Sequence, residues 1–328
     1  MNRLSVKVLA EIDDDSRTSL SNIAKKCRSS EQMVSYTVKQ LIKKKIILGF
    51  STLFDYTRFD LNSYIVLFRL FYRQKEDLEK FLNYLKNTPE LSRLEVFDGK
   101  WNVYAMFLAP NPSYFNKILQ KIRRDNKDLI RSDIIITTVV TYTFTRTYLH
   151  ENKKIQKKFM IVGGDREISD FNNNQILICR RLLNNPVERI KDISRKTGLS
   201  FLTITNGLKA LHNRGLIRGF KPIIDFEKAD IVCKKIFIKY QSNLVNEDRI
   251  ISFCKEHQNV VHIVKIFGEW DLIVTVECLK KSDFDDFLMD LREKYEDMIY
   301  DFEIIKVLKI AELRFLPKNY FETNYKED

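Results

Sequence analysis

Apolar residues recur at helical spacing in two stretches that lie far apart in the chain. In the first, 115–122, apolar side chains stand at i, i+3, i+4 and i+7, which places them on one face of a helix. The second stretch, 284–291, shows the same pattern 169 residues later. Each stretch is followed by an apolar run with the composition of a strand, 134–140 or 304–310. The pattern therefore predicts the same buried helix and following strand twice.

The alternation of strands and helices extends upstream of both stretches. A β-α-β-β-α-β order is typical of a ferredoxin-like sandwich, in which an antiparallel sheet carries two helices on one face. Residues 235–310 are predicted to follow the same order as the first copy. In that copy the predicted elements are a strand (63–72), a helix (76–86), a strand (91–98), a strand (101–109), a helix (113–124) and a strand (133–140).

Short motifs show that the repeat covers most of the chain. Residues 98–102 read DGKWN and residues 267–271 read FGEWD, and these two motifs contain the only two tryptophans. Upstream, 41–55 (LIKKKIILGFSTLFD) matches 211–225 (LHNRGLIRGFKPIID) with a shift of 170 residues. An internal repeat of this length indicates that one structural unit is present twice. We call the copies unit one and unit two.

The two tryptophan motifs are predicted to lie in the turn between the central strands of each sheet. Gly99 and Gly268 provide the backbone freedom that such a turn requires. Trp101 and Trp270 then begin the next strand, at the rim of a hairpin. Their large rings fit either plain packing at that rim or the wall of a ligand site or subunit interface, and both interpretations stay open.

The first part of unit two is predicted to be a winged helix-turn-helix. Gly198 suits a left-handed turn, and Ser200 is a natural N-cap, because its hydroxyl accepts a free amide of the first helical turn. Three helices, a short turn before the third and a hairpin after it are typical of this DNA-binding motif. The predicted elements are helices at 175–183, 187–196 and 201–215 and a two-stranded wing at 216–225.

Unit one repeats this motif with altered turn residues. Ser30 stands at the N-cap of its third helix, whose buried stripe is predicted to contain Val34, Val38 and Leu41. Arg28 replaces Gly198, and a left-handed conformation there would cost on the order of 1 kcal/mol. In the same way, a lysine at position 45 replaces a glycine at the end of the helix.

The exposed face of each third helix is the candidate DNA-reading surface. Side chains with hydrogen-bonding groups near the N-terminus of such a helix reach base edges in a major groove, while nearby lysines contact phosphates. The alternative is an ordinary solvent-facing surface. The two faces differ in sequence, so we expect different half-sites. The candidate residues are Ser30, Gln32, Ser35, Tyr36, Lys39, Lys43 and Lys44 in unit one and Ser200, Leu202, Thr205, Asn206 and Lys209 in unit two.

The net charge of +12 is unevenly distributed along the 328 residues. Residues 1–56 carry +4 and residues 170–225 carry +6, so positive charge follows the predicted DNA-binding part of each unit. This is expected of surfaces that meet phosphates. The sheet domains have diverged, since residues 57–148 carry +5 and residues 226–328 carry −5.

Composition argues against several other classes of protein. The 44% hydrophobic and 30% charged residues are typical of a globular protein, and no apolar run approaches the ~18 residues of a membrane span. The N-terminal stretch shows no signal-peptide core. Five scattered cysteines and four scattered histidines form no metal-ligand pattern. We therefore expect a cytoplasmic protein with reduced cysteines, no metal and no cofactor.

These features together resemble a known family of transcription regulators. A winged helix-turn-helix followed by β-α-β-β-α-β and a Gly-x-x-Asp turn is similar to the Lrp/AsnC (feast/famine) regulators, and the likeness covers nearly the whole chain twice. It implies an α+β fold of two winged helix-turn-helix domains, each followed by a ferredoxin-like sandwich of the RAM type. The residues that carry the resemblance are 15–26, 196–200, 214–225 and 268–272.

The resemblance also implies partners. The partner in this family is double-stranded DNA, and RAM domains pair through their sheets and often bind amino acids near the Gly-x-x-Asp turn. Asp271 matches that turn, whereas Asn102 replaces the acid in unit one. Thr37 and Gly207 stand where the family usually has an arginine. The implied effector-site residues are Gly268, Trp270 and Asp271, with Gly99 and Trp101 as the weaker equivalents.

An enzyme is the main alternative to a regulator. Siroheme decarboxylases resemble the same two-domain architecture, and some are tandem fusions. Arg93 and His262 fall at equivalent positions of the second predicted strand and are the only residues that favour this alternative. The scattered histidines and the capped third helices favour a non-enzymatic DNA-binding protein. A purely structural assembly role, with both DNA-reading helices inactive, is the third alternative.

The repeat defines the expected domains and a mode of assembly. Because the sheet domains carry opposite net charge, we predict that they pair with each other inside one chain as a pseudo-dimer, with pairing between chains in a homodimer as the alternative. The ~20-residue linker would span about 25 Å if flexible. The expected domains are 1–60 (winged helix-turn-helix), 61–148 (RAM type), 149–169 (linker), 170–226 (winged helix-turn-helix), 227–316 (RAM type) and 317–328 (tail).

Overall fold

The two units share one order of elements. The computed structural model describes residues 1–151, 155–241 and 247–325, so parts of the expected linker and tail lie outside the described residues. Unit one begins with α1 (Arg3–Asp14), α2 (Leu20–Cys27), α3 (Glu31–Lys43) and β1 (Ile47–Phe54). Its sheet domain consists of β2 (Asn62–Leu70), α4 (Lys75–Lys86), β3 (Leu91–Asp98), β4 (Val103–Ala109), α5 (Pro112–Asp125) and β5 (Ile130–Phe144).

Unit two repeats these elements after one additional strand, and a short helix follows them. The α+β class and the tandem architecture predicted from the sequence are confirmed. The linker strand and the first part of unit two are β6 (Phe159–Gly163), α6 (Asn173–Asn184), α7 (Ile190–Thr197), α8 (Phe201–Asn213) and β7 (Ile217–Ile224). The remainder is β8 (Val232–Tyr240), α9 (Glu247–Glu256), β9 (Val260–Phe267), β10 (Leu272–Cys278), α10 (Lys281–Tyr295), β11 (Ile299–Leu313) and α11 (Tyr320–Asn324).

The sheet domains of both units close into one barrel. Strand order is β5-β2-β4-β3 in unit one and β11-β8-β10-β9 in unit two. β5 extends beyond β2 to pair with β9, where Thr137 faces Phe267. β11 extends beyond β8 to pair with β3, where Lys306 faces Asp98. Each long strand therefore belongs to both units, and the two sheet domains pair within one chain.

The strands alternate between the barrel interior and the outer helices. In β4, Val103, Ala105 and Phe107 pack beneath α4 and α5, while Tyr104 and Met106 point into the barrel. The corresponding outer core of unit two lies beneath α9 and α10. This period of two is the reason that an apolar core forms on both faces of the sheet.

The prediction that residues 216–225 form a two-stranded hairpin is wrong. Residues 217–224 form the single strand β7, which pairs antiparallel with β1 of unit one from Ile47 opposite Ile224 to Phe54 opposite Ile217. A tight hairpin needs residues with positive φ, and Gly219 does not adopt that conformation. The backbone groups of each strand are satisfied by the other unit instead.

Two apolar segments outside the repeat pack against its elements. β6 pairs with the end of β5, with Gly163 opposite Val140 and Phe159 opposite Phe144. In the C-terminal segment, α11 places Phe321 in a core with Phe54. Neither element was predicted, because a segment of five residues shows too little periodicity to be assigned.

Among the described residues, no helix is both long and apolar enough to cross a membrane. The same residues contain no group of three or more His, Cys, Asp or Glu side chains placed to hold a metal ion.

Candidate nucleic-acid interface

The helix-turn-helix of unit one is held by local hydrogen bonds at both ends of its turn. Ser19 caps α2 by accepting from the amide of Asn22, and Ser30 caps α3 by accepting from the amide of Met33 at 3.2 Å. Between them Arg28 adopts the left-handed conformation, with φ of 53°. The prediction of a strained arginine in this turn is therefore confirmed, and α3 begins in the orientation that the turn imposes.

Unit two forms the same turn without this strain. Gly198 has φ of 71° at the end of α7, and the Ser200 hydroxyl accepts from the amide of Thr203 at 3.0 Å. The two units therefore present equivalent third helices, α3 and α8, and both predicted serine caps form. Gly215 and Lys45 are likewise equivalent and both have positive φ, so Lys45 of unit one adopts this conformation without the freedom of glycine.

Packing explains why neither third helix has the arginine expected from the family resemblance. Thr37 is buried, and its hydroxyl donates to the carbonyl oxygen of Met33 at 2.7 Å. At Gly207, an added Cβ would lie 2.6 Å from the Cδ1 atom of Ile178 on α6. Both positions face the module core, so a long cationic side chain does not fit there without rearrangement.

The predicted reading face of α3 is exposed. Gln32, Tyr36 and Lys39 are solvent-exposed, Tyr36 to 59%, and Ser35 is half-buried. Together these four side chains line one shallow groove with Leu20 and Glu31. Lys43 and Lys44 are exposed at the C-terminal end of the same helix, beyond this groove. The structure therefore groups the predicted base-reading residues and sets the two lysines apart from them.

The predicted reading face of α8 begins with apolar side chains. Phe201 and Leu202 are 62% and 67% exposed, and Asn206 and Lys209 are exposed further along. Thr205 is half-buried, and its hydroxyl donates to the carbonyl oxygen of Phe201 at 2.8 Å. Its hydroxyl hydrogen is therefore already used, whereas the amide of Asn206 is free to approach a base edge.

Exposed cations at α2 and α7 were not among the predicted DNA-contacting residues. Lys25 and Arg28 are exposed at the end of α2, and Lys191 and Arg195 are exposed on α7. Lys25 and Arg195 lie in the last turn of their helices, where the helix dipole favours a positive charge, and this position was readable from the sequence. They extend the positive surface of each module beyond its third helix.

The two winged helix-turn-helix modules contact each other directly. Arg17 donates through Nη1 to the carbonyl oxygen of Pro186 at 2.8 Å, and its guanidinium lies 5.1 Å from the centre of the Phe220 ring. Asp55, at the end of β1, forms an ion pair with Arg218 on β7 at 2.7 Å. These contacts and the β1–β7 pairing hold the two modules together.

The predicted effector-site residues lie at two equivalent turns. Gly99 and Gly268 have φ of 149° and 146°, which confirms the turn prediction. Trp101 and Trp270 are 3% and 6% exposed and belong to the core that fills the barrel. The two rings therefore pack in the core that the two units share.

The fourth residue of each turn supports the sheet. Asn102 accepts the amide of Leu70 at 2.7 Å, and the Asp271 carboxylate accepts the equivalent amide of Tyr240 at 2.9 Å. The second oxygen of Asp271 forms an ion pair with Lys239 at 3.2 Å. The acid and the amide thus make the same backbone contact, and the acid additionally holds an ammonium group.

Arg93 and His262, the residues that favoured the enzyme alternative, point into the barrel. Arg93 is buried in an ion pair with Glu95. His262 is half-buried and shares a hydrogen bond of 3.2 Å with the Thr143 hydroxyl. Burial, together with the surrounding cations, lowers the pKa of His262 well below its ordinary value, so its imidazole is neutral at pH 7.

Comparisons of sequence agree with the DNA-binding assignment. Residues 1–47 match the winged helix-turn-helix DNA-binding family. An uncharacterised HTH-type transcriptional regulator of Pyrococcus furiosus is 29% identical over 124 residues, which cover 37% of this chain and 80% of that protein. The HTH-type transcriptional regulator FL11 of Pyrococcus horikoshii is 25% identical over 112 residues, 34% of this chain and 73% of its own. Each match is shorter than one unit of the repeat.

A comparison of structures covers both units at once. The siroheme decarboxylase NirDL superposes with a TM-score of 0.56 and 13% identity, covering 98% of this chain and 96% of NirDL. A structure of NirDL with an iron-uroporphyrin III analogue gives the same TM-score and covers 99% of this chain. At this identity the likeness shows the fold alone. The tandem fold, a winged helix-turn-helix module and a sheet domain present twice, is thus shared with NirDL.

The left-handed turn of unit one generates a prediction about stability. Because an L-residue with positive φ is strained, Arg28→Gly should raise the free energy of unfolding by about 0.5–1 kcal/mol. Gly198→Ala should lower it by a similar amount. Urea denaturation of the full chain measures both changes. Arg28→Ala is the control, since it removes the charge but keeps Cβ, and equal stability of the Gly and Ala variants would contradict the prediction.

Proposed function

We propose that this protein is a sequence-specific regulator of transcription that binds double-stranded DNA through α3 and α8. The observation that carries the proposal is the third helix of each module. In both copies a serine caps its N-terminus, one face is buried in the module, and the opposite face is exposed. A helix of this design fits a major groove with its N-terminal residues against base edges.

The proposed roles follow from the placement of the side chains. Gln32 and Tyr36, on the groove-lining face of α3, would contact bases, while Lys43 and Lys44 would neutralise phosphates. In unit two, Asn206 would contact a base edge and Leu202 a thymine methyl group. Since the two faces carry different groups, one chain would read two different half-sites.

DNA binding should depend steeply on salt and divide the variants into two classes. For about 6–10 phosphate contacts, affinity should fall about 10³- to 10⁵-fold between 50 and 200 mM salt. Gln32→Ala and Tyr36→Ala should relax base preference in one half-site, each costing about 1–3 kcal/mol on the preferred site, whereas Lys43→Ala and Lys44→Ala should weaken all DNA alike. In-vitro selection from random duplexes, followed by titration, measures both effects.

Lys121→Ala is the matched control, because it removes one exposed lysine from α5 on the outer face of the barrel. The Lys121→Ala variant should bind duplex DNA with the same affinity as the unmodified chain. Binding that is insensitive to salt and to the four α3 substitutions would refute the regulator proposal.

We further propose that a small effector, of the amino-acid class, binds at the turn of unit two. Support comes from Asp271, whose carboxylate is one-third exposed and already holds the Lys239 ammonium group. An α-ammonium group is chemically equivalent to that partner. Asn102 offers only a neutral amide at the equivalent turn, so the unit-one turn has no carboxylate to pair with an ammonium group.

The effector proposal predicts an optical signal that depends on one carboxylate. In a Trp101→Phe background, Trp270 is the only tryptophan, and its fluorescence should change when the effector is added. Asp271→Asn makes the unit-two turn like that of unit one and should abolish the response. Titration of the twenty amino acids one at a time, with thermal unfolding in parallel, measures this. A complete absence of fluorescence and stability changes would reject an amino-acid effector.

A tetrapyrrole enzyme is the second candidate, and the whole-chain likeness to NirDL is the observation that favours it. Against it, the side chains of Arg93 and His262 are engaged with Glu95 and Thr143 inside the barrel. We therefore expect no shift of the Soret band when iron-uroporphyrin III is mixed with the protein. A shifted band that is lost in His262→Ala would favour the enzyme over the regulator.

A further inference from the structure

The barrel interior contains a buried ionic group that joins the two units. Glu95 on β3 of unit one and Lys235 on β8 of unit two are 1% and 2% exposed, and their charged atoms lie 3.3 Å apart. Arg93 also pairs with Glu95, and Lys235 donates to the Thr275 hydroxyl at 3.2 Å. Burial alone would raise the pKa of Glu95, but the Arg93 and Lys235 charges hold it below its ordinary value.

A second buried ionic group also joins the units, at one end of the barrel. Arg146, just after β5, donates to Asp13 on α1 at 2.6 Å and to Glu277 on β10 at 2.7 Å. Lys221 on β7 reaches the Asp13 carboxylate at 3.0 Å, and the Tyr148 hydroxyl donates to Glu277 at 2.6 Å. Asp13 and Arg146 belong to unit one, whereas Lys221 and Glu277 belong to unit two.

The repeat provides a second, equivalent location for each group, and there the charges are missing. Equivalent residues lie 169 or 170 positions apart, so Val264 and Ile65 correspond to Glu95 and Lys235, and both are buried in the barrel core. At the other end of the barrel, uncharged residues replace all four charged members of the second group. These residues are Leu183 for Asp13, Phe315 for Arg146, Ser51 for Lys221 and Leu108 for Glu277.

We infer that these two ionic groups are the specificity determinants that make unit two the obligatory partner of unit one. Only this pairing gives Lys221, Lys235 and Glu277 of unit two their charged partners, and it gives each of Asp13, Glu95 and Arg146 of unit one a partner from the other unit. If unit two paired with itself, Lys235 would face Val264, and Glu277 would face the apolar equivalents of Asp13 and Arg146. A buried charge without its partner is strongly unfavourable.

Self-pairing of unit one is disfavoured in the same way. Glu95 would keep Arg93 but would face Ile65 instead of Lys235, and Asp13 and Arg146 would face Ser51 and Leu108. The inner surface of each unit therefore selects the complementary unit of this chain. It rejects a second identical unit and also a single-unit protein whose interior is apolar.

The test starts from the folded full chain and then separates the units. A protease site inserted between Glu151 and Ile155 is cleaved after folding, so that partner exchange becomes a reaction between two fragments. Native mass spectrometry after equilibration counts the fragment pairs. The unmodified sequence should give mixed pairs in at least about ten-fold excess over either homodimer, as expected when the wrong pairing leaves a buried charge unpaired.

Lys235→Ile introduces the residue that unit one has at the equivalent position, Ile65. It should raise the abundance of the unit-two homodimer at least about ten-fold. Lys228→Ile, which removes an exposed lysine outside the barrel, is the matched control and should change nothing. Lys235→Met keeps the length of the side chain and replaces the isoleucine variant if that variant does not fold. Homodimers as abundant as mixed pairs before substitution would overturn the inference, and so would equal results for the variants at 235 and 228.

A crosslinking measurement on the same cleaved protein gives an independent reading. Cysteines at Asp98 and Lys306 face each other in the observed pairing and should crosslink the two fragments. Cysteines at Phe267 and Lys306 would face each other only in a unit-two homodimer and should react only in the Lys235→Ile background. The five native cysteines are buried and contribute little background. The outcome is independent of DNA binding, so it can fail while the proposed function stands.

Discussion

The pairing of β5 with β9 and of β11 with β3 is the constraint on which the rest of the molecule depends. A four-stranded sheet leaves two edges, and an unpaired edge is a site of association. Both 15-residue strands solve this problem by pairing with their own sheet along one half and with the other sheet along the other half. The closed barrel then determines where every other element lies.

The placement of the two winged helix-turn-helix modules follows from that closure. Because each module is joined to its sheet domain by β1 or β7, closing the barrel brings these two strands into register with each other. The ion pair between Asp55 and Arg218 then fixes the two strands at one end. The distance between α3 and α8 is therefore set by the same contacts that hold the sheets together, rather than by an independent linker.

Local elements were predictable from the sequence, whereas contacts between units were not. Helical periodicity and serine caps located α3 and α8, and glycine positions located the turns at Gly99 and Gly268. The β1–β7 pairing was missed, since a strand with a central glycine fits a hairpin as well as a long-range partner.

The buried ion pairs between the units were also missed. Comparing Glu95 with Val264 shows that the units differ, but only the fold shows that Glu95 contacts Lys235. In the candidate site, the helical period predicted that Gln32, Tyr36 and Lys39 are exposed together on one face of α3. No contact within α8 explains why its exposed face begins with Phe201 and Leu202.

Closure within one chain also changes how the protein responds to dilution. For an obligate homodimer, folded stability depends on protomer concentration, because dissociation removes half of every shared core. Here the shared barrel forms within one chain, so the fraction of folded molecules does not depend on protein concentration. Every folded molecule therefore holds α3 and α8 together, whatever the protein concentration.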